Sequence, residues 1–247
     1  MTEIVLEAFT RVIWPSAAAR EAWAPRLELA SHGYQVAERE SVAVGVRAAG
    51  QVWIDRDSYL EFLPWAHSAG LHVRVVRWTG SGAGGFLHTS YPVGRDLLVV
   101  AFARTREQLD APLAHLGYPS CCEAFFAGAF PADVDPVPAW AGGGPLAGPL
   151  GGLLTDVAPH ANPLLRYVGV RAVPHIPCSP TCPETVRFGR QMLGLMPVGA
   201  AGAALDLLSL PMTWDRYRGV VIVTTPHFRV IATSTARAHR EVLHVRR

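Results

Sequence analysis

Two pairs of cysteines, each set in a proline-bearing turn, constrain this chain more than any other feature. The first pair is adjacent, in Gly117-Tyr118-Pro119-Ser120-Cys121-Cys122-Glu123. The second lies in Pro174-His175-Ile176-Pro177-Cys178-Ser179-Pro180-Thr181-Cys182-Pro183-Glu184. These are the only four cysteines in 247 residues. Soft thiolates select zinc, copper(I) and iron–sulfur clusters. If the pairs serve one ion, the chain must fold back on itself to bring two distant segments together. The pattern points to a cofactor and leaves the substrate open.

The local sequence around the second pair makes a stiff frame. Pro174, Pro177, Pro180 and Pro183 fix φ at every third residue, so the loop is ordered before any ligand arrives. Thr181 followed by Glu184 matches a capping box, and Pro183 suits a first helical turn. Cys182 is then expected at a helix N-terminus, where free N–H groups and the helix dipole favour thiolate. Neither pair shows the two-residue spacing of common zinc knuckles. The Cys178–Cys182 spacing also lacks the third cysteine of a radical-SAM motif.

Half of the residues are apolar, enough to bury a large core, while 17% are charged and the formal net charge is +2. No single-signed field is available to track a nucleic-acid backbone, and the basic tail at Arg237, Arg240, Arg246 and Arg247 reads as a solvated terminus. All 22 basic residues are arginine. Schiff-base lysine chemistry and a Walker-type phosphate lysine are therefore excluded. Glu3, Glu7 and Arg11 interrupt the apolar N-terminal stretch, and no apolar run is long enough to span a bilayer. The expected location is the cytoplasm, where clustered cysteines act as ligands or redox groups rather than structural disulfides.

The expected fold class is α/β or α+β: a mixed sheet with flanking helices and cysteine-rich loops converging on one site. Residues 1–130 form an α/β half carrying Cys121 and Cys122. Residues 131–160 are a Pro/Gly-rich connection or lid, and residues 161–247 a C-terminal half, together composing one domain. A hairpin is expected from Ser41–Val46 and Gln51–Ile54, then a helix capped by Asp55 or Asp57. Strands follow at Leu71–Trp78 and Asp96–Ala103, the second apolar enough to be central. Helices are expected from Thr105 to Leu116, with Gly117 as its stop, from Glu123 to Phe130, from Pro183 to Met196 and from Ala200 to Leu210. Tyr217–Thr224 and Phe228–Ser234 make a terminal hairpin turned at Thr225-Pro226-His227, with His227 exposed.

The pairing of Tyr118-Pro-x-Cys-Cys-x-x-Phe-Phe126 with His175-x-Pro-Cys-Ser-x-x-Cys182 resembles a family of uncharacterised prokaryotic proteins. The likeness covers those blocks, the Asn162–Arg166 approach and the Trp214–Val230 tail. It implies that the two clusters belong together and brings no activity with it.

The leading expectation is an iron–sulfur enzyme acting on a small molecule, with a 4Fe-4S cluster held by Cys121, Cys122, Cys178 and Cys182. Three ligands would leave one iron open for sulfur transfer, desulfuration or lyase chemistry; four would favour an oxidoreductase served by an electron or sulfur donor protein. His175 is a candidate ligand in a three-cysteine, one-histidine set, or else a packed histidine near the metal. Glu123 is a candidate acid–base group, or else a helix-capping residue. The alternatives are a zinc-stapled structural or interaction module, and a thiol enzyme with Cys182 as nucleophile.

Other motifs carry less. Gly80-Ser81-Gly82-Ala83-Gly84-Gly85 departs from the dinucleotide fingerprint, and Ser81 lies in no nucleophile elbow. Trp214, Asp215, Arg216, Tyr217 and Arg218 read as a solvated turn with one tucked tryptophan, though their arginines would suit a carboxylate-bearing substrate. Asn162 and Arg166 are placed to reach the same pocket as the second cysteine loop.

Overall fold

The structure is a computed structural model that describes residues 12–79, 97–110, 116–129, 151–154, 157–217 and 220–233. Within them the chain runs β1 (Val12–Ile13), α1 (Ala17–Ala43), β2 (Ala49–Ile54), α2 (Arg56–Ser68), β3 (His72–Thr79), β4 (Leu97–Ala103) and α3 (Arg106–Asp110). It continues with α4 (Ser120–Ala129), β5 (Gly151–Leu154), two 3-10 turns (Pro159–Ala161 and Arg166–Val168), α5 (Pro183–Gly194), α6 (Ala200–Leu208), β6 (Met212–Tyr217), β7 (Val220–Thr224) and β8 (Arg229–Thr233). Every ladder is antiparallel, so the fold is α+β.

One sheet has the order β2-β4-β3, with apolar β4 in the middle as its composition demands. The other has the order β1-β8-β7-β6-β5. Strand β1 from the beginning of the chain thus pairs with β8 near its end, Val12 opposite Val230. Helix α1 likewise crosses the sequence halves: Leu27, Ala30, Tyr34 and Ala37 share one core with Met192 of α5 and Ala200, Ala204 and Leu207 of α6. The i, i+3, i+7, i+10 spacing of Leu27, Ala30, Tyr34 and Ala37 gives α1 the stripe that a buried helix needs.

Helix α1 replaces the expected first hairpin. Ser41 to Ala43 end the helix instead of starting a strand, and Val42 is fully buried. Gly45, at φ +84°, then supplies the left-handed residue that stops it. Strand β2 pairs with β4, not with the segment before it. Asp55 caps α2 as expected, its carboxylate accepting from Ser58 N at 2.8 Å. Gly151–Leu154 of the Pro/Gly-rich stretch pairs with β6, so that portion is strand; residues 130–150 lie outside the described residues. The Gly80–Gly85 loop, residues 111–115 and the basic tail also lie outside them. Met212–Tyr217 is a third strand of the terminal meander, not a turn, and Trp214 on it is buried. His227 is half-buried, stacked on Trp23 with ring centroids 3.9 Å apart, which corrects its expected exposure. Among the described residues no helix is long and apolar enough to cross a membrane.

Candidate metal centre

Four sulfurs meet where α4 and α5 begin. The N-terminus of α4 carries Cys121 and Cys122 on its first turn, directly after Gly117 at φ +79° and Pro119. The Pro119 carbonyl accepts from the backbone N–H groups of both Cys122 and Glu123, at 2.9 and 3.0 Å. This closes the turn that lets neighbouring thiols aim at one point. On the other side Cys182 is the N-cap residue of α5, with Pro183 behind it in the first turn and its carbonyl accepting from Val186 N at 2.9 Å. Ser179 O accepts from Cys182 N at 3.3 Å, which curls the loop so that Cys178 comes back beside Cys182.

The sulfurs of Cys121, Cys122 and Cys182 form a triangle with all three edges 3.8 Å. With Cys178 the four Sγ atoms all lie within 4.8 Å of one another. All four cysteines are unbridged. Four close cysteines of this kind could hold a metal ion, and the convergence of the two pairs agrees with the sequence expectation. An all-sulfur donor set selects a soft or borderline metal over magnesium or calcium. Cys122 and Cys182 are buried, Cys178 is half-buried and Cys121 is exposed, so the group has a dry floor and one open edge.

Hydrogen bonds favour thiolate at Cys122 and Cys182. Cys178 N donates to Cys122 Sγ at 3.4 Å, and the Thr185 hydroxyl lies 3.2 Å from the same sulfur. Burial nevertheless pushes the Cys122 thiol well up, with the Thr185 and Cys178 contacts opposing it. Burial also raises Cys178, to about 11. At Cys182 burial again acts upward, but bonds from the Thr185 side chain and backbone and from the neighbouring thiols outweigh it and bring the group down to about 7. The metal-free cluster therefore places its first negative charge on the sulfur at the helix N-terminus.

His175 stands one residue outside the ligand set. Its Nε2 lies 2.9 Å from Thr185 Oγ1, so the proposed metal ligand is instead linked to Cys122 through the threonine hydroxyl. The ring sits between Tyr118 and Phe188, with centroids 5.2 and 5.8 Å away, and Nδ1 is buried without a hydrogen-bond partner among the described residues. Burial, then the positive charge of Arg47, lowers its pKa to about 4. Glu123 occupies the first turn of α4, where a carboxylate suits the dipole, and among the described residues nothing ties it to the thiols. The capping box from Thr181 to Glu184 does not form: the helix starts one residue later, and Glu184 pairs with Arg187 instead. Cys182 is 2% exposed, so its sulfur is shielded from a substrate; Cys121 is the accessible thiol.

Three neighbours were not singled out from sequence. Thr185 is fully buried and bridges His175 to Cys122. A polar residue on the buried stripe Thr185, Phe188, Gly189, Met192, Leu193 was the available signal. Arg47 and Arg171 flank Glu38 at 3.6 and 3.8 Å, and the Arg47 guanidinium lies 5.6 Å from the centre of the Tyr118 ring. No local pattern marks those arginines, because the contacts come from remote segments. Asn162 is structural: its amide donates to Leu208 O at 3.0 Å and its oxygen accepts from Leu164 N at 3.0 Å. Comparison of the chain with family models, with curated proteins and with solved structures gives no match, so the geometry of these residues carries the functional reading alone.

Proposed function

We propose that the four thiolates hold a single zinc ion that staples the start of α4 to the Cys178–Cys182 loop. The observation that carries this reading is the sulfur spacing. Four sulfurs about 2.3 Å from one tetrahedral ion stand about 3.8 Å apart. Three edges of the sulfur group measure 3.8 Å. An iron–sulfur cube needs its thiolates further apart, because iron and sulfide fill the space between them. Four thiolates around one zinc make a closed, structural type of site, in which binding energy becomes folding energy. In this role the ion fixes the two loops that bear Tyr118 and His175 beside the buried arginines, and any chemistry lies beside the metal.

A second reading, an iron–sulfur enzyme, draws support from the exposed edge at Cys121 and from the adjacent-cysteine spacing, which is foreign to zinc knuckles. There the cluster would supply redox or Lewis-acid chemistry for sulfur transfer, desulfuration or lyase reactions on a small molecule, with a donor protein where electrons or sulfur are consumed.

Metal and sulfide analysis of protein purified without oxygen separates the two. The zinc reading expects colourless protein with one zinc per chain, no acid-labile sulfide, and loss of that zinc in Cys122→Ser and Cys182→Ser. Brown protein with iron and sulfide in equal amounts establishes the second reading and ends the first. Protein free of both metals that cannot be loaded ends both.

A further inference from the structure

A cavity of about 470 Å³ opens between α1, the edge of β2 and α2, and the loops that carry Tyr118 and Pro174. That volume lies within the range of small-molecule pockets and well above what one water or ion fills. Four arginines line it, Arg39, Arg47, Arg166 and Arg171, against two carboxylates, Glu38 and Glu61. Two of the arginines are held out of water. Arg47 is 1% exposed, and Arg171 retains 19% of its side-chain surface. Burying a guanidinium costs several kcal/mol unless its charge and donors are matched. Here the matching is incomplete. Arg47 Nε donates to Leu116 O at 3.3 Å and Arg171 lies 4.2 Å over the Tyr34 ring, but among the described residues a single carboxylate, Glu38, serves both, and at 3.6 and 3.8 Å it is too distant to hydrogen-bond either. Arg47 Nη1 and Arg171 Nε are buried with no hydrogen-bond partner among the described residues.

We infer that this cavity binds a small organic anion, with the Arg47 and Arg171 guanidinium groups as the anchor for its carboxylate or phosphate. Planar guanidinium forks suit both oxyanions, and a second negative charge beside Glu38 balances two buried cations. Val52, Trp53, Ile54, Phe62, Leu116 and Pro174 add apolar surface among the polar side chains of His32, Gln35, Gln51 and Ser58, so the cavity offers contacts to a carbon body as well as to the anion. The Tyr118 ring separates Arg47 from His175, whose contact with Thr185 leads to Cys122. The anion is thus joined to the thiol group through Tyr118, His175 and Thr185 in turn, and the inference stands whichever metal fills that group.

The test is titration calorimetry on the metal-loaded protein at low salt with inorganic phosphate, succinate and phenyl phosphate. Saturable one-to-one binding is expected, weakening as salt rises, with phenyl phosphate tighter than inorganic phosphate if the apolar wall contributes. Succinate binding best assigns a carboxylate ligand, and phenyl phosphate binding best assigns a phosphate ester. Arg47→Met should weaken the preferred probe at least tenfold. Because that variant strands Glu38, Glu38→Gln provides a reading of opposite sign: removal of the competing carboxylate should tighten anion binding several-fold, and phosphate should raise its melting temperature more than that of the parent. No saturable binding of any probe overturns the inference. So does unchanged binding in folded Arg47→Met, or weaker binding in Glu38→Gln.

Discussion

At the residue scale His175 is a buried base kept neutral by its surroundings. Its folded pKa is lowered from 6.5 to about 4 by burial and by the nearby Arg47 charge. As pH falls through 6.5 the unfolded chain takes up a proton that the folded chain refuses, so folding loses stability until about pH 4, where both forms are protonated. The loss amounts to up to about 3 kcal/mol over that window. In His175→Asn this part of the acid dependence should disappear from urea unfolding curves measured between pH 7 and pH 4. By NMR the His175 ring should not titrate at neutral pH; a midpoint near the ordinary histidine value sinks the argument. The thiols act in the same direction through the metal. Ligand protons must leave before the ion binds, with Cys182 at about 7 and Cys178 at about 11 in the metal-free site. Zinc affinity is therefore expected to fall steeply as pH drops from 8 to 6, seen by competition with a chelating dye.

At the element scale the legibility of the sequence divides along a physical line. The helices at Arg56–Ser68, Pro183–Gly194 and Ala200–Leu208 and the strands β3, β4, β7 and β8 lie close to their sequence expectations, because each has a local start or stop signal. Asp55, Pro183 and the Thr225–His227 turn are such signals. Helix α1 was invisible for the opposite reason. Its stripe of Leu27, Ala30, Gly33, Tyr34, Ala37 and Glu38 is small and partly polar, and only its partners make it a core face. Gly33 shows the closeness of that fit: a Cβ there would stand 2.5 Å from the Cβ of Ala200 on α6. Gly33→Ala should therefore destabilise the protein by about 1–2 kcal/mol, the overpacking outweighing the gain in helix propensity. Gly202→Ala, also helical but with open space around its Cβ, should stabilise by up to about 1 kcal/mol. Denaturant melts that show the same sign for both substitutions would refute this account of the α1–α6 contact.

At the scale of the whole molecule the thiol group and the sheets join the chain in different places. The five-stranded sheet ties residues 12–13 to residues 229–230, and the α1–α5–α6 core is closed mainly by apolar packing. The thiol group joins α4 to the Cys178–Cys182 loop, a junction otherwise served by few apolar contacts: Cys122 is buried there, Phe125 only partly, and Phe126 is exposed. The convergence of the cysteines was readable because soft ligands in stiff turns have little else to do. The arginine cavity was not, since Arg39, Arg47, Arg166 and Arg171 become neighbours only after folding. This division of labour makes a prediction about partial unfolding. If the thiols hold an ion, its removal leaves them to carry unbalanced charge or to pack as neutral thiols, so α4 and the loop should loosen while both sheets persist. Hydrogen exchange after treatment with a strong chelator should show protection lost in residues 118–129 and 174–184, and largely retained in β4, β7 and β8. Loss of protection across the sheets as well would make the ion a requirement for the entire fold. Unchanged exchange at Cys121, Cys122, Cys178 and Cys182 would mean that the staple contributes nothing to holding those segments.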